Sequence, residues 1–216
     1  MSIRKWLRCV RTARDPHDSE AAFGALGPLD AQQRSVDVVD PGQALIALHA
    51  PPAPLPTRYE ILSWEWWKPA PRFDPQREVG YRLSERPVFD ELPPVGADGW
   101  RPGVKQLFFL YRPSKLSRAD FRELYHQHVE TLRDDQPGIA KYVQNVVEEV
   151  VTGARDREGE LDGVSELWFA SLEDYRERYW SGPGVAEREA GETGRFLDFR
   201  RTWSLLVRER QPPKAT

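Results

Sequence analysis

The clearest periodicity lies in the C-terminal half of the chain. Val104 to Tyr111 is a dense apolar run that stops short of Pro113, the mark of a buried strand. Ser117 with Asp120 three residues on forms a helix start, and Phe121, Leu124, Tyr125, His128, Val129 and Leu132 then recur at helical spacing until Pro137-Gly138. Tyr142 to Val151 is β-branched and strand-like, the Asp162-Gly163 turn leads into a third strand, Val164 to Ala170, and Thr202 to Arg208 makes the last. Ser171 with Asp174 caps a second helix carrying Leu172, Tyr175, Tyr179 and Trp180, and Pro183 to Glu192 is a short helical or looped excursion. The order is βαββαβ, the ferredoxin-like unit, in which an antiparallel four-stranded sheet is backed by helices.

The N-terminal half follows the same order less completely. Lys5 to Arg11, Ser35 to Val39, Tyr59 to Trp67 and Gly80 to Phe89 read as strands, and Asp18 to Leu26 as a short helix. Pro69, Pro71 and Pro75 forbid a second helix of any length between Lys68 and Arg77. Lys5-Trp6-Leu7 set against Lys105-Gln106-Leu107 hints at an internal duplication. Fourteen of the 19 prolines lie at or before Pro102, among them a stiff loop over residues 50–57. The Pro- and Gly-rich stretch from Pro93 to Pro102 interrupts any ladder. The expected fold is therefore α+β, with tandem ferredoxin-like domains: residues 1–92, a 93–102 linker, and 103–216.

Composition narrows the function. Eight Trp, seven Tyr and nine Phe among 216 residues supply the rings from which cores and ligand pockets are built. A net charge of −3 with both signs interleaved argues against a nucleic-acid surface. No apolar run is long enough for a membrane span, and the basic start Met1 to Arg11 does not read as a signal peptide. Cys9 is the lone cysteine, which excludes an intrachain disulfide framework or cysteine metal cluster and suits a reducing cytoplasm. No Gly-rich phosphate loop or nucleophile elbow is present, and His126 and His128, two apart on a helix, diverge too far for joint metal ligation.

Two groups stand out as candidate chemistry. At about 100° per residue, His128 falls on the face defined by Phe121, Leu124, Tyr125 and Leu132. It is a hydrogen-bonded core histidine, a pocket acid or base, or an exposed side chain. Glu166 lies mid-strand beside Val164 and Trp168; once buried it must be paired or protonated, as an ion pair with Lys105 or Arg112 or as an acid/base group. Tyr125, Tyr142, Asn145 and Trp168 offer hydroxyl, amide and ring surfaces suited to a flat phenolic ligand, with Tyr179 at the rim, or else they are core. Trp64 and Trp66 share one side of a strand and suit packing between sheets.

The second half also resembles the EthD family of dimeric α+β barrels. The resemblance rests on Ser117 to Leu132, Pro137-Gly138, Tyr142-Val143-Gln144-Asn145, the run Asp162 to Phe169, and Arg195-Phe196-Leu197-Asp198, spanning about residues 103–210. It implies two four-stranded sheets packed into an intrachain barrel with helices outside, and small-molecule pockets between a sheet and its helices. It further implies cyclisation, dehydration, isomerisation or oxygenation of aromatic or polyketide-like substrates, without metal or organic cofactor. The family usually carries a histidine eight residues after the helix phenylalanine; that position here is Val129, with His128 one earlier. On this reading His128 is the acid or base, Glu166 supports its imidazole, and Tyr142 and Asn145 hold a substrate oxygen. The expected partner is a hydrophobic small molecule, with no nucleic acid and no membrane; a non-catalytic binding role and a homodimer through barrel or edge strands stay open.

Overall fold

A computed structural model of the chain describes residues 4–10, 33–39, 61–67, 73, 78–152 and 161–211. Eight strands account for most of them: β1 (Arg4–Val10), β2 (Gln33–Val39), β3 (Ile61–Trp67), β4 (Glu78–Asp90), β5 (Val104–Leu110), β6 (Ile139–Thr152), β7 (Gly163–Phe169) and β8 (Trp203–Arg210). Four helices lie in the C-terminal half: α1 (Arg118–Gln127), α2 (Leu132–Asp135), α3 (Leu172–Glu177) and α4 (Val185–Thr193). The expected helix from Asp18 to Leu26, the loop at 50–57, and His17 and His49 lie outside the described residues.

The strands close into one antiparallel barrel in the order β1-β3-β2-β8-β5-β7-β6-β4. The first four strands run β4-β1-β3-β2 and the last four β8-β5-β7-β6, the same order twice, sealed by β2 against β8 and β4 against β6. Closure leaves no free edge among these described strands.

Side chains alternate with period two between two surroundings. Leu7, Leu62, Trp64, Leu107, Phe109, Val164, Leu205 and Val207 point inward and make one core. On the other face of β5, β7 and β8, Phe108, Leu110, Leu167, Phe169 and Leu206 meet the helices in two further clusters. All seven residues of β7 are buried because both faces are covered.

The barrel interior also holds charge. Lys5 lies opposite Trp66 on β3 and Leu83 on β4; Lys105 lies opposite Trp168 on β7 and Val207 on β8. Two residues beyond Leu83 and Val207 stand Glu85 and Glu209. Lys5 Nζ is 2.6 Å from Glu85, Lys105 Nζ is 3.8 Å from Glu209, and Trp66 and Trp168 each donate their indole N–H to the acid of their own set. Glu166 joins the two sets, lying 2.6 Å from each lysine, while Asp37 takes Lys105 at 2.7 Å and the Trp64 indole at 2.6 Å.

The helices begin as the sequence indicates. Ser117 and Ser171 each accept the backbone N–H three residues on, from Asp120 and Asp174, and satisfy a donor that a helix start leaves bare. The single long helix expected through Leu132 is broken, however. His128 closes α1 as its C-cap, bonded through its own N–H to the Leu124 carbonyl, and Leu132 opens α2 instead. Gly138 follows α2 where a Cβ would come within 2.6 Å of the Asp174 carbonyl, so only glycine lets the chain pass α3 into β6.

Candidate functional site

Between the outer face of β5–β8 and helices α1, α2 and α4 lies a cavity of about 460 Å³, within the usual range for small-molecule sites. Its floor comes from Gln106, Phe108 and Leu110 of β5, Tyr142 of β6, Ser165 and Leu167 of β7, and Ser204 of β8. Tyr125, His128, Leu132, Gln136, Tyr179, Glu189 and Phe196 form much of its roof and walls. Phe199, which also lines it, is the only large hydrophobic side chain among the described residues that is half exposed.

His128 does point into this space, but its partner is not Glu166. Its Nε2 lies 2.9 Å from Glu189 Oε1 on α4, with both side chains about nine-tenths buried. Nδ1 has no protein partner, and the ring sits 5.6 Å from that of Phe196. Glu189 reaches this position because Val185, one helical turn earlier, buries the same face of α4. Val129, at the family's usual histidine position, instead packs beside Leu132 in an apolar cluster.

A second polar group lies on the floor. The Tyr125 hydroxyl is 2.8 Å from Ser165 Oγ and the Tyr142 hydroxyl 3.4 Å from the same oxygen, while Gln144 donates to the Tyr142 hydroxyl and to the Tyr125 carbonyl. Burial pushes the Tyr125 phenol well above its ordinary range, with the neighbouring Tyr142 adding to the effect; burial raises Tyr142 too. Both therefore remain protonated near neutrality and can donate to an oxygen. Tyr179 stacks on Phe169 at 5.4 Å, and burial holds its phenol neutral as well.

Glu166, Asn145 and Trp168 lie on the other face of the sheet. Burial alone would raise the Glu166 carboxyl, but the charges of Lys105 and Lys5 outweigh it and hold its pKa at about 2. Asn145 donates to Glu166 at 2.9 Å, and Trp168 donates to Glu209. The physical reason is parity: Glu166 and Trp168 share the inward side with Val164, whereas Ser165 and Leu167 face the helices. Of the expected residues, the cavity brings together His128, Tyr125, Tyr142 and Tyr179.

Sequence reasoning missed Glu189, Ser165, Gln106, Ser204 and Gln136. The signal for Gln106 was its place two residues before Phe108, on the helix-facing side of an otherwise apolar strand; Ser165 holds the equivalent side of β7. As for metals, His128, Glu189 and Glu192 are the one group among the described residues whose ligand atoms converge, all within 4.8 Å. Glu192 is only half-buried, and the imidazole Nε2 is already committed to Glu189.

The architecture is thus a closed α+β barrel with a cavity between one sheet and its helices. Residues 113–200 match the family model of the EthD domain, from the loop before α1 to the approach to β8. Among solved structures, the fold is similar to that of an anthrone oxidase-like protein, with a TM-score of 0.63 and 9% identity over 99% of this chain and 95% of that one. It is also similar to a Lactobacillus acidophilus protein assigned provisionally as a monooxygenase, with a TM-score of 0.52 and 8% identity over 96% of this chain and 94% of that one. At such identities the likeness concerns the fold alone. No curated protein matches the chain.

Proposed function

We propose that the chain is an enzyme that moves a proton on a hydrophobic, aromatic or polyketide-like small molecule, driving cyclisation, dehydration or isomerisation without a metal or organic cofactor. The observation that carries this reading is the His128–Glu189 pair facing a tyrosine–serine hydroxyl group across one apolar cavity. With the Nε2–H donating to Glu189, Nδ1 is the basic nitrogen, and Glu189 steadies the imidazolium that forms when a C–H proton is taken. Tyr125 and Tyr142, aligned by Ser165 and Gln144, donate to the carbonyl oxygen on which the negative charge gathers. Apolar walls keep water from that charge.

Solvent-deuterium exchange at the acidic C–H of an enolisable aromatic ketone such as anthrone tests the role directly. His128→Ala should slow enzyme-catalysed exchange roughly 100-fold or more while the protein stays folded. Near-normal exchange would refute the assignment.

A second reading is favoured by the likeness to an anthrone oxidase-like fold. The same carbanion takes up O₂; the ring CH₂ becomes C=O, one oxygen atom entering the product and the other leaving as water with the two hydrogens. One O₂ consumed per turnover would establish this course, and turnover without O₂ uptake would exclude it.

The two halves are read as related ferredoxin-like repeats, 1–92 and 103–216, joined by residues 93–102. The shared strand order and the repeated lysine–glutamate–tryptophan sets of Lys5 and Lys105 support this reading.

A further inference from the structure

Two buried amides in the cavity have hydrogen-bonding capacity that the protein does not use. Gln106 is 4% exposed; its Nε2 lies 3.4 Å from Ser204 Oγ, but its Oε1 accepts nothing from the protein. Gln136, at the end of α2, is also 4% exposed, and its Oε1 is equally unpartnered. A buried polar atom without a partner is costly, and a strand position between Val104 and Phe108 on the helix-facing side would ordinarily be apolar. Both residues line the cavity.

Their placement defines a distance. Phe108 is paired with Ser165 on one side and Ser204 on the other. With neighbouring strands about 4.8 Å apart, the two serines stand roughly 10 Å from each other across the Phe108 ring. One end of the floor is the Tyr125–Ser165–Tyr142 group; the other is Gln106–Ser204. A flat ring system lying on Phe108 reaches both.

We propose that Gln106 with Ser204, aided by Gln136, is a hydroxyl-recognition subsite, so that the preferred ligand is a fused-ring aromatic bearing a hydroxyl about 10 Å from the oxygen held by the tyrosines. A hydroxyl can both donate and accept, so it satisfies the amide in either orientation. An unhydroxylated ring of the same shape leaves these buried amides unpaired and is rejected, the asymmetry by which polar pockets discriminate strongly. This inference rests on the cavity being a small-molecule site, but not on proton transfer there.

The test compares anthraquinone with its 2,6-dihydroxy derivative, by quenching of tryptophan fluorescence from Trp180 and Trp203 in the cavity wall. The unmodified protein should bind the dihydroxy compound roughly 10-fold more tightly than the parent. Gln106→Leu should abolish the difference by weakening the dihydroxy compound while leaving the parent within about twofold. Ser204→Ala, a milder change, should narrow the preference in the same way and carries the test if Gln106→Leu does not fold. Equal affinities in the unmodified protein, or a preference that survives both substitutions, would overturn the subsite. Failure of the unmodified protein to bind either compound would overturn the aromatic-pocket reading and this subsite with it. Binding without preference overturns the subsite alone.

Discussion

The sheet wall of β5, β7 and β8 separates two polar surfaces with opposite characters. On the inner face, the heads of Lys5, Lys105, Glu85, Glu166 and Glu209 each have an opposite charge within 4 Å, and Trp64, Trp66 and Trp168 lie against the ammonium groups. On the outer face, Gln106, Gln136, His128 and Glu189 each retain an atom without a protein partner, as Asp37 and Asn145 do on the inner face, but only the outer four line a cavity. Polar groups that answer one another specify a packing arrangement; polar groups that line a cavity offer bonds to a ligand. Burial alone does not separate the two cases. Glu166 and Gln106 are both almost fully buried, yet only the second faces a space.

The largest effect expected to probe this contrast comes from Glu166→Ala, which removes the one buried carboxylate shared by both interior ammonium groups. It should cost about 3–5 kcal/mol of stability in urea unfolding while the folded fraction still binds aromatic probes normally. Intact stability with lost binding would reverse the roles assigned to the two faces. Next comes pH. The interior acids outnumber the interior lysines, and burial, abetted by Glu209 and Glu166, lifts the Asp37 carboxyl to about 7 despite the pull of Lys105. Between about 4 and 7 the unfolded chain has released a proton that folded Asp37 keeps, so stability should fall across that window as pH rises, by on the order of a few kcal/mol. Glu166 runs the other way: its contribution is present above the ordinary value of 4.5 and is lost as pH falls toward 2. In Asp37→Asn the decline between pH 4 and 7 should flatten, and a slope equal to that of the unmodified protein would contradict the assignment. The smallest effect belongs to the helical side. Ser117→Ala removes the α1 cap and should lower the stability by about 1 kcal/mol, read as a shift in the urea midpoint.

Much of this was legible in the chain. All eight strands fall where alternation and apolar runs put them, and the Ser–Asp helix starts are real. The burial of Glu166 and its pairing with Lys105 were among the readings open from its mid-strand place. The break after α1 was not legible: no Gly or Pro stands between Gln127 and Pro137 to announce it. Nor could sequence alone choose which parity of β7 faces the helices. A strand buried on both sides shows no polar alternation to orient it, and this is why Trp168 was grouped with a pocket from which the barrel wall separates it; Asn145, three residues from Tyr142 on β6, faces the other side by strand alternation. Glu189 escaped notice because Pro183 to Glu192 read equally well as loop or helix, and the i,i+4 relation to Val185 has meaning only in a helix.

Glu166 has a consequence for how the chain can be divided. It is a single carboxylate on the C-terminal half that neutralises one lysine from each half. Severing the backbone within residues 93–102 would leave the N-terminal fragment with Lys5 held by Glu85 alone, and the strands at its margin uncovered. Neither piece is then a self-sufficient module, and recombination or gene fission at that proline-rich seam would be tolerated only where both fragments are made together and find each other.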